Sequence, residues 1–346
     1  MRGIRELARH LDLSIGTVSK ALNSRTDINA LTKARVLQAA AEFGYVANQS
    51  GRSLRSGSTQ TVGFMIESNQ AAPTDSDSFF MEVLDGMQLA LRKHRLDVIV
   101  FPCASDEEPG SYLTRIVARG LVDAMVISAT RKMDARVPLL LAANIPFVTL
   151  GRSEGPDHAW IELDFEGVAE RSVNRLVTRG HRDIAVALPA NDLNLGNLFL
   201  AGYRKALQAH GIAFRPDWAI RTESSEQGGY RLGTELLSLE QRPTAVMLSY
   251  EQPAGGLYRR LNESDLPPGP GIAVIGFRDS QQTRHLVPRL TSFTTSLKDL
   301  GMALGETLLS RMPATAKEYA DRPPTVIWPL TLVPGDSDPF LNPGAR

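Results

Sequence analysis

Cysteine is almost missing from this 346-residue chain: Cys103 stands alone, so no intrachain disulfide can form and a reducing compartment is the simple expectation. It falls in the strand-like run "DVIVFPCA", which favours a buried, inert thiol. Long apolar runs are missing too. None approaches the roughly 20 residues that a membrane span needs. The first residues form a charged amphipathic segment and not a signal peptide, so the chain is expected in the cytoplasm, away from membranes. The six histidines (His10, His94, His158, His181, His210 and His285) are widely separated and have no metal-ligand spacing, so no metal is expected. No Gly-x-Ser-x-Gly elbow, P-loop or Gly-x-Gly-x-x-Gly fingerprint occurs, which argues against an enzyme and against a cofactor.

Net charge is also absent overall, but its zero sum hides an asymmetry. Residues 1–60 carry nine Lys/Arg (Arg2, Arg5, Arg9, Lys20, Arg25, Lys33, Arg35, Arg52, Arg55) against four acids (Glu6, Asp12, Asp27, Glu42). A basic head on an acidic body suggests a polyanion partner for the head alone. Hydrophobic content of 42% and charge of 22% are those of a folded globular chain, and the length implies two or three folding units.

In "IRELARHL", Ile4, Leu7, Ala8 and Leu11 share one helical face. Asp12 suits a tight left-handed turn. Ser14 is placed to cap a second helix by accepting from the Thr17 amide. There Val18, Ala21 and Leu22 point inward, leaving Ile15, Gly16, Thr17, Ser19 and Lys20 outward or on the flanks. A third helix follows from the cap Asn29, with Val36, Leu37, Ala40 and Phe43 inward. Three short helices with a tight turn between the first two form the helix-turn-helix pattern. A helical cap packed on the body is the plainer alternative, but the outward face offers hydroxyls and a lysine where docking would want an apolar stripe.

"IRELARHLDLSIGTVSKALN", followed by "TKARVLQAAAEFGYVANQSGRSLRSGSTQTVGFMI", resembles the start of a LacI/GalR family transcriptional regulator. The resemblance implies that Ile15, Gly16 and Lys20 occupy base-reading positions, and that Ser14, Thr17, Ser19 and Asn29 meet phosphates. Gly16 offers no side chain, so Lys20 and the hinge carry more of the discrimination, or Ile15 reads a thymine methyl. The hinge is "NQSGRSLRSG". Asn48 can cap a short helix there, Leu54 matches the family's minor-groove wedge, and Arg52 and Arg55 flank it towards phosphates. Ala47 and Gly51 replace a usual proline and alanine. An interior glycine costs about 1 kcal/mol of helix stability, so the hinge is expected to order only on DNA.

From Thr61 the pattern becomes alternating strands and helices. "TVGFMI", "LDVIVF", "DAMVIS", "PFVTLG", "IAVALP", "TAVMLS" and "IAVIGF" read as strands with amphipathic helices between them, which implies parallel sheets covered on both faces. The expected fold is α/β: a three-helix DNA-binding domain (1–46), a hinge (47–58) and a body (59–346) whose two lobes, as the family resemblance implies, are periplasmic-binding-protein-like. The lobes are expected to comprise 59–162 plus 289–321, and 163–288 plus 322–337.

Ligands of open α/β sheets lie at the carboxyl ends of the strands. That selects Glu67, Phe79, Phe80, Ser128 and Arg152 from one lobe and Asn197, Phe199, Tyr250 and Arg278 from the other. Aromatic faces with a few polar groups suit a sugar or sugar derivative. Two positions depart from the family pattern: Phe199 replaces a usual arginine, and Arg278 replaces a usual aspartate in "GFRD". Arg152 and Arg278 together would favour an anionic ligand. The function expected is a sequence-specific, ligand-responsive regulator, a repressor of carbohydrate-utilisation genes. As a homodimer it would bind a near-palindromic duplex operator. The alternatives are a sugar-processing enzyme, or a stand-alone sugar-binding protein with an accessory head. The tail "GDSDPFLNPGAR" carries no leucine heptads, which speaks for a dimer and against a helical tetramerisation bundle.

Overall fold

The computed structural model describes residues 3–22, 28–45, 58–67 and 76–341, with the side chains of 76–78 left aside. The chain divides into two compact units, residues 1–60 and 61–346.

In the first unit α1 spans Ile4–Leu11, α2 Ile15–Leu22 and α3 Ala30–Glu42. Asp12 adopts the left-handed conformation (φ 52°) and closes α1, its amide bonding back to Ala8 and Arg9. Ser14 Oγ accepts the Thr17 amide at 3.0 Å, and Asn29 Oδ1 accepts the Leu31 amide at 2.8 Å, so both caps satisfy amides that a helix start leaves without partners. Leu7, Ala8, Leu11, Val18, Ala21, Val36, Ala39 and Ala40 form the core. Leu37 is not in it: it is 44% exposed, against expectation. One residue advances a helix by about 100°, so Leu37 lies a quarter-turn from Val36, whereas Ala39 and Ala40 share the face of Val36.

The second unit holds two six-stranded sheets. The first sheet runs β11-β5-β4-β3-β1-β2, all parallel, from β1 (Thr61–Glu67), β2 (Asp97–Cys103), β3 (Ala124–Ile127), β4 (Phe147–Leu150), β5 (Ala159–Leu163) and β11 (Thr325–Trp328). The second runs β12-β10-β9-β8-β6-β7, from β6 (Ile184–Pro189), β7 (Ala219–Thr222), β8 (Ala245–Leu248), β9 (Ala273–Arg278), β10 (Thr291–Thr294) and β12 (Thr331–Val333). Only β12 is antiparallel to its neighbour. Central strands such as "AMVI" and "AVML" are buried along their whole length, as parallel strands covered on both faces must be.

Each sheet with its helices is one lobe. The first crossing follows β5, close to the expected Glu162. The other two differ from expectation. The chain returns to the first lobe between Thr294 and Leu297, not at 288, because β10 pairs with β9 and β12. It leaves again between Trp328 and Thr331, not at 322, because β11 pairs with β5. In the first lobe α4 (Ser76–Leu91) packs on α11 (Leu297–Leu309), where a Cβ on Gly86 would meet the Lys298 carbonyl oxygen at 1.9 Å. Only glycine permits that approach. Between these two helices in the chain lie α5 (Pro109–Ala118), α6 (Arg136–Ala142), α7 (Phe165–Thr178), α8 (Asn194–Ala209), α9 (Glu226–Ser238) and α10 (Ala254–Asn262). Cys103 is buried, and burial raises its thiol pKa, leaving it unreactive.

The segment after β12 is fixed by Asp338, which is fully buried. Its carboxylate accepts from Arg175 and from the Thr291 hydroxyl, and it lies 3.2 Å from Arg179 Nε. Removing one member of a buried ion pair leaves the others uncompensated, at a cost of about 3–5 kcal/mol. Asp338→Ala is therefore expected to lower the urea midpoint of the body by a corresponding amount. A shift smaller than about 1 kcal/mol equivalent would show that the tail does not hold the second lobe.

Candidate functional site

On the head, Ser14, Ile15, Gly16 and Asn29 are exposed, while Thr17, Ser19 and Lys20 are half-buried. Ser14 and Thr17 also share a hydroxyl–hydroxyl bond of 2.9 Å, which fixes the start of α2. A Cβ at Gly16 would meet nothing nearer than Ser14 Oγ at 3.6 Å, so the fold does not demand glycine there. Its absent side chain leaves the helix backbone open to close approach. Leu31, 80% exposed at the start of α3, is an apolar side chain that the helical pattern did not single out. Asn48, Arg52, Leu54 and Arg55, with Ala47 and Gly51, lie outside the described residues.

In the body a cavity of about 250 Å³ opens between the lobes at the carboxyl ends of both sheets. In the first sheet β2 and β3 diverge from β1, and in the second β7 and β8 diverge from β6. These are the points where strand order reverses and a crevice forms. The first lobe contributes Glu67, Phe79, Phe80, Ser128, Thr130 and Glu162; the second contributes Ser249, Tyr250, Glu251, Phe277 and Arg278. Apolar and aromatic side chains predominate, among them Leu150, Leu163, Phe165 and Leu195.

Most of the charged groups are paired, whereas the Ser249 hydroxyl has no hydrogen-bond partner among the described residues. Glu67 accepts two bonds from Arg131, each 2.9 Å, and lies 2.9 Å from Arg136 Nη1. Arg136 is 1% exposed. It also bonds Asp134 and the carbonyls of Ser128 and Ala129, at 3.0 and 3.1 Å. Arg278 Nε donates to Glu251 Oε1 at 3.1 Å, and its guanidinium carbon lies 5.4 Å from the centre of the Phe79 ring. Glu162 accepts the Arg152 amide at 2.9 Å, and burial pushes its pKa up to about 7.

Six of the nine cleft residues expected from the sequence line the cavity: Glu67, Phe79, Phe80, Ser128, Tyr250 and Arg278. Three do not. Phe199 is buried edge-on to Phe277, 6.3 Å between ring centres, because α8 turns that face to its sheet. Arg152 directs its side chain to Glu166. Asn197 sits on the cleft's flank, with Arg131, Lys132 and Arg221. The anionic ligand suggested by Arg152 and Arg278 loses its basis, since each arginine already has a carboxylate partner. Glu162 and Glu251 were not singled out. Glu162 is the penultimate residue of β5, a strand that the apolar pattern did not mark, and Glu251 lies one residue beyond Tyr250. Tyr250 itself donates its hydroxyl to the Thr222 carbonyl and so faces inward.

The lobes are also bonded directly beside the cleft. Arg131 and Leu193 form an isolated antiparallel bridge, and Arg131 Nε lies 3.3 Å from Asp192. Asn194, buried at the start of α8, donates its amide to the Thr130 carbonyl and its side chain to the Arg152 carbonyl, both at 2.9 Å. Asn194→Ala removes the second bond. It is expected to speed hydrogen exchange at the residue-194 amide severalfold, with α8 amides beyond its first turn unchanged; an unaltered rate would show that this side chain does not brace the lobes. A second expectation concerns pH. Glu162 loses its proton near 4.5 when unfolded but near 7 when folded. Its contribution to stability is thus complete below about 4.5 and lost as pH rises to 7. Between those values Glu162→Gln should lose less stability than the parent in denaturant titrations, and equal slopes would contradict this.

Comparison with known proteins places the site in a family. Residues 3–48 match the model for bacterial regulatory proteins of the lacI family, and residues 173–337 match a periplasmic binding protein-like domain. The chain is 30% identical to the HTH-type transcriptional regulator AglR of Rhizobium meliloti, over 99% of this chain and 98% of that protein. It is 28% identical to the HTH-type transcriptional repressor PurR of Erwinia tasmaniensis, over 92% of each. Among solved structures, the lac repressor dimer bound to operator and the anti-inducer ONPF matches with a TM-score of 0.83 at 22% identity, covering 97% of this chain and 99% of that one. The transcriptional regulator CelR–cellobiose complex matches with a TM-score of 0.70 at 23% identity, covering 97% and 100%. At those identities the two structures speak for the fold. The chain belongs to the lacI family of bacterial regulatory proteins and is a ligand-responsive, DNA-binding transcriptional regulator.

Proposed function

We propose that this protein is a cytoplasmic homodimeric repressor of carbohydrate-utilisation genes. Its head holds a near-palindromic operator, and its cleft takes a neutral saccharide. The observation that carries the effector class is the lining of the cleft: aromatic and aliphatic walls, with Glu67 ion-paired to Arg131 and Glu251 to Arg278. Aromatic faces suit the C–H face of a sugar ring, and fixed donors and acceptors suit its hydroxyls. A solved relative of the same fold holds cellobiose, which supports the same class.

On the DNA side, Ile15, Gly16 and Lys20 read base edges, and Ser14, Thr17, Ser19 and Asn29 meet phosphates. Arg52, Leu54 and Arg55, with the cap Asn48, engage the minor groove through the hinge. The exposed edge of β2, with Ile99 and Val100 uncovered, supports pairing with a second copy. The cleft binds without turnover. Among the described residues of the lining, Glu67 and Glu251 are each ion-paired with arginine and Glu162 stands without a second unpaired carboxyl, whereas glycoside hydrolysis uses two.

A ligand acts on DNA affinity only through its different affinity for two arrangements of the body. Between them the brace of Thr130 and Arg131 against Leu193 and Asn194 is the contact to change. A footprint of the purified protein on its own upstream DNA, repeated with neutral saccharides, tests the whole reading. No protected site under any condition would refute it. Lys20→Ala should cut the preference for the operator over random duplex by about 1–3 kcal/mol in competition assays, with a smaller effect on non-specific binding. An equal loss on both duplexes would make Lys20 a phosphate contact.

A further inference from the structure

One charged pair in the cleft uses only part of its hydrogen-bonding capacity. Arg278 ends β9 and Glu251 follows the neighbouring β8, so both stand at the carboxyl ends of adjacent strands. Nε and Nη2 of Arg278 both donate to a single oxygen, Oε1 of Glu251. The two residues are only 6% and 8% exposed, yet both line the cavity. Among the described residues, Arg278 Nη1 and Glu251 Oε2 have no hydrogen-bond partner, and neither is sealed from the surface. The guanidinium carbon lies over the Phe79 ring of the other lobe, 5.4 Å from its centre, and that ring carries no oxygen or nitrogen acceptor to occupy Nη1. A largely buried ion pair with an unbonded donor beside an unbonded acceptor is costly unless something outside the protein bonds both.

We infer that Glu251 and Arg278 act as one unit that reads two adjacent hydroxyls of the effector and so determines specificity. One hydroxyl donates to Glu251 Oε2, and its neighbour accepts from Arg278 Nη1. The inference rests on the saccharide reading above. Because the formal charges of the pair cancel, it favours a neutral vicinal diol. A carboxylate elsewhere on the sugar would bring further negative charge into a lining whose other acidic side chains, Glu67 and Glu162, are carboxyls as well, with no cation of the lining left uncompensated to meet it. Without Glu251's charge, Arg278 would face the cleft as an uncompensated cation and the preference would invert.

The test uses the full chain and isothermal titration with cellobiose, maltose and melibiose, each beside the uronic acid in which one CH2OH is oxidised to carboxylate. The parent is expected to bind at least one neutral member and to bind its acid at least about tenfold more weakly. Glu251→Gln should lose about tenfold or more for the neutral sugar and gain for the acid. The charge-swapped double variant Glu251→Arg/Arg278→Glu keeps an ion pair between the strands, so it should remain folded, judged by its thermal midpoint, while losing the neutral sugar. Neutral binding within twofold of the parent in both variants would reduce the pair to a strut between β8 and β9 and overturn the inference. So would equal affinity of the parent for sugar and acid. Binding of no panel member by the parent would remove the saccharide reading itself, a result distinct from either of those.

Discussion

A full positive charge sits inside the first lobe on Arg136, and the surroundings of the cleft are arranged to keep it paired. Asp134 and Glu67 supply the countercharge, and the carbonyls of Ser128 and Ala129 complete the fork. An unpaired charge at that depth would cost several kcal/mol, so the loop from Ser128 to Asp134 has little freedom. Two functional features follow. Ser128 and Thr130 are held on the cavity wall, and Arg131 and the Thr130 carbonyl are presented to the opposite lobe. The same carboxylate, Glu67, belongs to the charge network and to the lining, so cleft and inter-lobe brace share an anchor.

Electrostatics divide the labour along the chain. The head carries the excess of Lys and Arg, and hydroxyls and a lysine stand on the outer side and flanks of α2. In the cleft nearly every charge is matched within a few ångströms.

Much of this was readable before any coordinates, for physical reasons that differ by element. Strands such as "TVGFMI" and "IAVIGF" are buried on both faces and announce themselves as continuous apolar runs. The caps Ser14 and Asn29 declare helix starts by local chemistry. The rule that ligands gather at strand ends found Glu67, Ser128 and Arg278 without knowledge of the sheet order. What escaped was non-local. β10, β11 and β12 are three or four residues long, and β11 and β12 are edge strands with polar or exposed positions; their sheet membership, and hence the crossing points, depends on pairing that sequence does not display. Phe199 was misplaced because a strand-end rule says nothing about which face of a following helix turns inward. Arg152 and Arg278 looked like an anion site because their partners, Glu166 and Glu251, come from other elements.

Where α4 meets α11, Gly86 and Gly301 let each backbone approach the other so closely that neither helix can slide without collision. Gly229 and Gly256 do the same for α9 and α10 in the second lobe, a Cβ on either meeting a carbonyl oxygen within 2 Å. Each lobe is therefore a stiff plate, and the plates are joined by three peptide tethers: after Leu163, after Thr294 and after Trp328. Three tethers side by side suppress twisting and shear far more than swinging about the line that joins them. Whatever occupies the cleft can therefore move one lobe against the other in essentially one direction, as a single angle.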